Sequence, residues 1–127
     1  MSDDPASRIL GEGHSIRETG RDIAAKERFW RAREEPSRVR IEAIRTEIEM
    51  QFCMEYRIRD DDPLSARAET EWCETTVRGA VEARTALHAT LRATATSFEI
   101  QASLDAFAAD ALVCRREWQE TIPRDLV

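Results

Sequence analysis

The sequence predicts an all-α protein, a single-domain bundle of four main helices preceded by a flexible tail. Apolar residues recur at steps of three, four and seven, the spacing of a helix that lays one face into a core. Gly and Pro are scarce, at four each in 127 residues, and β-branched runs are missing, which argues against sheet. The tail covers residues 1–14, and the four helices cover approximately 15–34, 37–59, 63–94 and 97–121.

The first helix follows a segment that is rich in chain breakers. Asp3-Asp4-Pro5 interrupts regular structure, so residues 1–14 are expected to be flexible. Ser15 and Glu18 then match a capping box, which predicts the helix start. Ile16, Ile23 and Trp30 fall on one line of the helix.

The second helix begins near Pro36 and is apolar on two sides. Its main face consists of Ile41, Ile44, Ile48 and Phe52. A helix with a second apolar face is either buried between neighbours or lies at an interface. Trp72 projects to the edge of the third helix, where a tryptophan can anchor a partner. The expected interface residues are therefore Val39, Met50, Met54 and Trp72.

The third and fourth helices are bounded by local stop and start signals. Asp62 can cap a helix and Pro63 suits its first position. Thr96 and Glu99 repeat the capping-box pattern, which favours a reversal between the helices. One kinked helix through residues 94–98 remains the alternative.

Composition limits the classes of function. The net charge of −6 weighs against free, high-affinity binding of nucleic acid. Three cysteines without a C-x-x-C pair fit a reducing compartment. Because the sequence shows neither a leader pattern nor an apolar stretch of membrane-spanning length, we expect a cytoplasmic protein.

Few residues indicate chemistry. Arg84 and His88 project onto one helix face, where they form a buried polar pair or a small-ligand site with Glu69, Asp105 or Asp110 as candidate partners. The three aspartates at 60–62 lack the ligand spacing of a calcium loop. We therefore expect no catalytic residues, no metal, no cofactor and no enzyme activity.

A line of arginines on the first helix continues into the second. Arginine forks bind carboxylate or phosphate groups bidentately, so this stripe is a candidate surface for an acidic partner or a nucleic-acid backbone. Its members are Arg17, Arg21, Arg28, Arg31 and Arg38.

These observations favour a non-enzymatic helical subunit that assembles with other proteins, as a homo- or hetero-oligomer, inside the cell and without membrane contact. Two alternatives stay open. In size and predicted helix content the chain is similar to the small helical subunits of CRISPR effector complexes, which implies contact with a nucleic-acid phosphate backbone through the arginine stripe. A ligand-binding or enzymatic bundle that uses Arg84 and His88 is the second alternative.

Overall fold

The computed structural model describes residues 7–11 and 13–125, which form one antiparallel sheet of eight strands. No α-helix occurs in these residues, so the predicted four-helix bundle is wrong, as is each of its helices. Apart from one 3-10 turn at Glu42–Ile44, the ordered elements are β1 Ser7–Gly11, β2 Ser15–Asp22, β3 Glu27–Ile41, β4 Thr46–Arg59, β5 Asp62–Arg78, β6 Val81–Ala93, β7 Ser97–Ala108 and β8 Ala111–Pro123.

The sheet is a meander in which strands β3 to β8 pair in sequence order. Both β1 and β2 pair with β3, at opposite halves of its length, so the sheet is seven strand positions wide and β5 is central. Strand β1 lies within the segment expected to be a flexible tail, and residues 1–6 and 12 of that segment lie outside the described residues. No helix in the described part of the chain is long and apolar enough to cross a membrane.

The alternation of side chains explains why these segments form strands. In β4, Ile48, Met50, Phe52, Met54 and Tyr56 occupy every second position, with polar residues at most positions between them. Side chains two apart in a strand share one face of the sheet. Ile48 and Phe52, assigned to one face of the second helix, therefore share a single face of β4 with Met50 and Met54, assigned to the other.

The predicted helix caps are parts of strands and hairpins. Ser15 and Glu18 lie within β2, and Asp62 begins β5 after a two-residue loop instead of capping a helix. The predicted third helix is divided by a second such loop, where Gly79 has φ 59°. Residues 94–96 join β6 to β7, which excludes the kinked helix.

The sheet is a single layer with almost no interior. Only Ala32, Glu27 and Thr46 are buried among the described residues, and no large side chain is fully covered. The chain exposes 9442 Å², whereas a compact monomer of 14.6 kDa exposes about 6,900 Å². The excess arises because, within residues 7–11 and 13–125, no element packs on either side of the sheet.

Candidate interaction face

The register of the sheet gathers the large apolar side chains on one side. Residues directly opposite one another in neighbouring strands point to the same face. One such row runs across five strands through Trp30, Tyr56, Ala68, Leu91 and Ile100. Along each strand, every second residue on either side of this row also points to the same side of the sheet, which we call the apolar face.

Aromatic contacts mark the middle of the apolar face. The rings of Phe52 and Trp72 stack with centroids 5.4 Å apart and planes 7° apart. Trp30 and Tyr56 make a tilted contact at 5.4 Å. Further members are Ala32, Val39, Ile48, Met50, Met54, Ala68, Leu87, Ala89, Leu91, Ala93, Phe98, Ile100, Ala102, Leu104, Ala106, Trp118 and Ile122.

All four residues expected at an interface lie on the apolar face. Val39 is on β3, Met50 and Met54 are on β4, and Trp72 is on β5. Sequence reasoning missed the contribution of β6, β7 and β8, whose alternate residues, among them Leu87, Leu91, Phe98, Leu104 and Trp118, lie on the same surface. The alternation of apolar residues at every second position in these segments is the sequence signal that could have indicated their place on this face.

The opposite side, which we call the polar face, carries a network of ion pairs. Glu27 binds the guanidinium groups of Arg67 and Arg57. Glu55 accepts hydrogen bonds from Arg57 and from Arg31, whose Nε is 2.8 Å away. The hydrogen bond from Arg57 is the main cause of a lowered pKa at Glu55, and the hydrogen bond from Arg67 has the same effect on the pKa of Glu27. These ion pairs join β3, β4 and β5 across the polar face.

The arginine stripe does not form one surface. Arg17, Arg21 and Arg28 lie at the β2–β3 border of the apolar face, whereas Arg31 and Arg38 lie on the polar face. The expected continuous line depended on helical geometry, in which these positions share one arc. Arg21 and Arg28 also bind the carboxylate of Asp60, at 3.0 Å from the Arg28 Nε.

Arg84 and His88 lie on the polar face in separate contacts. The Arg84 guanidinium sits 4.2 Å from the centroid of the Phe107 ring. His88 Nε2 is 2.8 Å from a carboxylate oxygen of Glu69, one of its expected partners, while Asp105 binds Arg115. Arg84 is exposed and His88 half-buried, so no buried polar pair forms.

Three groups on the polar face could hold a metal ion. Glu69, Glu71 and His88 offer ligand atoms that all lie within 4.8 Å of one another. Both glutamates are exposed. The sequence did not reveal this group because cross-strand pairing, not local spacing, brings His88 beside the two glutamates.

The apolar face is concave at one end. A depression of about 740 Å³ lies over the ends of the six strands β2 to β7, and Trp30, Tyr56, Leu91 and Phe98 are among its walls. Comparison with models of protein families, with curated proteins and with solved structures finds no match for the chain. The all-β fold contradicts the three functional hypotheses that assumed a helical protein. The two faces of the sheet are the features from which a function can be argued.

Proposed function

We propose that this chain is a non-catalytic protein-interaction module whose apolar face docks on the apolar face of a second β-sheet. The observation that carries the proposal is the uncovered apolar face itself. Stable domains contain at least two packed layers, because a sheet must bury its apolar side against another element. A second sheet packed about 10 Å away would supply the missing layer.

The charge distribution favours docking through this face over the other surfaces. Glu27 and Glu55 on the polar face are already paired with arginines, so a partner that docked there would have to cover charged groups without offering them new bonds. Strand β8 is an open edge, but Arg115, Arg116, Glu117 and Glu120 blunt it, as charged side chains do on natural edge strands. The apolar face is therefore the surface on which a partner can bind while removing water from the fewest polar and charged groups.

The state of the cysteines supports a cytoplasmic location for this module. Cys53 and Cys73 occupy adjacent strands, and Cys114 is exposed on β8. All three are free thiols. Unpaired thiols are typical of reducing compartments.

The proposal is tested by hydroxyl-radical footprinting of the native assembly, purified from its host, against the isolated chain. Met50, Met54 and Trp72 react readily with radicals and should lose reactivity in the assembly. Cys53 on the polar face is the internal control and should react equally in both samples. Equal reactivity of Met50, Met54 and Trp72 in the two samples would overturn the proposal.

A further inference from the structure

We infer that the second layer is another copy of this chain, so that two apolar faces pack as a twofold-symmetric β-sandwich. This inference rests on the proposed function and adds the identity of the partner and the direction of the symmetry axis. The axis runs parallel to the central strand β5, midway between the sheets. It places β8 of one copy over β2 of the other, and β6 and β7 over β4 and β3.

The size of the apolar face fits a permanent dimer. Seven strand positions are separated by six spacings of about 4.8 Å, and strands of roughly twelve residues at about 3.4 Å then give a face of about 1,200 Å². Two such faces bury about 2,400 Å² in total, within the range of obligate homodimers. Because β5 is central, an axis along it covers every strand of both copies.

Two of the facing pairs under this axis combine a large residue with a small one, whereas in the row of Phe52 the side chain of Trp72 meets its own symmetry mate. Met54 on β4 lies opposite Ala89 on β6 of the second copy, since both belong to one cross-strand row. Val39 on β3 lies opposite Ala108 on β7 by the same construction. Alternating large and small residues across facing layers is how packed cores avoid voids.

The charges at the rim of the apolar face also match. Glu120 belongs to the row of Thr19, so the axis brings it over the second copy's β2, between Arg17 and Arg21. Arg116 belongs to the row of Glu34 and arrives beside that carboxylate. Each contact occurs twice because of the symmetry. Rim pairs of opposite sign fix the register of an interface.

The alternative axis, perpendicular to the strands through the row of Phe52 and Trp72, is unfavourable. It would place each strand over its own copy, so Arg116 would face Arg116 and Glu34 would face Glu34. Like charges in such positions oppose association. The charges at the rim therefore favour the axis along β5, although that axis also brings together the two copies of Glu74.

One residue reports directly on the axis. Glu74 lies on β5 within the apolar face, between Met50 and Thr85, and the axis brings it close to its own symmetry mate. Two carboxylates that lose water beside each other repel, so Glu74→Gln should tighten the dimer. If the partner were a different protein, this self-repulsion would be absent.

The first experiment measures the dimer dissociation constant of the full chain by analytical ultracentrifugation. Glu120→Arg should weaken the dimer by about tenfold or more, because it places like charges at both rims. Glu117→Arg is the matched control, since Glu117 lies on the same strand but on the polar face. Adding Arg17→Glu to Glu120→Arg should restore much of the affinity.

The second experiment locates the axis by chemical cross-linking. In a chain whose three cysteines are replaced by serine, Thr70→Cys places a thiol on the apolar face of β5, and Thr75→Cys places one on the polar face. A short bismaleimide should join two copies through position 70 but not through position 75. Circular dichroism of each variant confirms that the sheet is retained.

The outcomes separate the two proposals. Dimers that respond to Glu120→Arg, Glu74→Gln and Thr70→Cys as stated support the twofold sandwich. A chain that stays monomeric, or a dimer indifferent to these changes, overturns the second-copy inference. If the footprint of the native assembly then still protects Met50, Met54 and Trp72, the docking function holds with a different protein as the second layer.

Discussion

Replacing Trp118 by alanine is expected to weaken association strongly while leaving the sheet folded. Trp118 lies on the apolar face of the last strand and is 45% exposed in the single layer. A tryptophan has up to about 250 Å² of surface, so the exposed 45% of Trp118 corresponds to about 110 Å² that a second sheet could cover. At about 25 cal/mol per Å², burying that area under a second sheet contributes about 2.8 kcal/mol per subunit.

The expected loss for a dimer is therefore up to about 5 kcal/mol, which corresponds to a dissociation constant raised by roughly a thousandfold or more. Analytical ultracentrifugation measures this constant, and circular dichroism at the same concentrations shows whether the sheet is retained. Gln119→Ala is the control, because Gln119 is the next residue of the strand and lies on the polar face. Equal dissociation constants for the two variants would show that the apolar side of β8 is not covered, and the reasoning would fail.

Three further predictions concern a turn, a thiol and a carboxylate. Ala109→Gly should raise the free energy of unfolding in urea by about 1 kcal/mol, because Ala109 adopts φ 52°; an unchanged midpoint would contradict this. Cys114 should react with a thiol reagent more slowly in the assembly than in the monomer, while Cys53 reacts at the same rate in both. Glu55 has a pKa lowered from its ordinary 4.5, chiefly by the hydrogen bond from Arg57. The stability this provides is present above about pH 4.5 and is lost as the pH falls through the lowered value, so Glu55→Gln should flatten the acid side of a urea-unfolding profile taken from about pH 6 to about pH 3.

The sequence located the ends of several elements but gave them the wrong period. The predicted break after Arg59 coincides with the end of β4, and the predicted reversal near residue 94 coincides with the β6–β7 turn. Turn-forming residues interrupt helices and strands alike, so these boundaries do not depend on the type of element. A spacing of four residues, as between Leu87 and Leu91, also fits both types of element, because it is close to one turn of a helix and equals two repeats of a strand.

The period was misjudged because alanine is frequent in the strands that the sequence assigned to helices. Alanine has the highest intrinsic helix propensity, and it occupies β6 and β7 at positions such as Ala89, Ala93, Ala102 and Ala106. In the sheet these small side chains lie on the apolar face, where cross-strand pairing overrides propensity. The pattern that distinguishes a strand from a helix is found in β4. There Ile48, Met50, Phe52, Met54 and Tyr56 follow one another at steps of two, which is the period of a strand and not of a helix.

The four residues expected at an interface share one face of the sheet although the predicted fold was wrong, and the reason is geometric. Met50 and Met54 are four apart, which keeps them on one face of either a helix or a strand. The arginine stripe does not keep a common face in a strand. Arg28 and Arg31 are three residues apart, and side chains at that spacing point to opposite faces of a sheet. Residue pairs separated by four therefore keep their shared surface when the type of element is misjudged, and pairs separated by three lose it. This distinction explains why Met50 and Met54 share one face of the sheet, while the arginines are divided between the two faces.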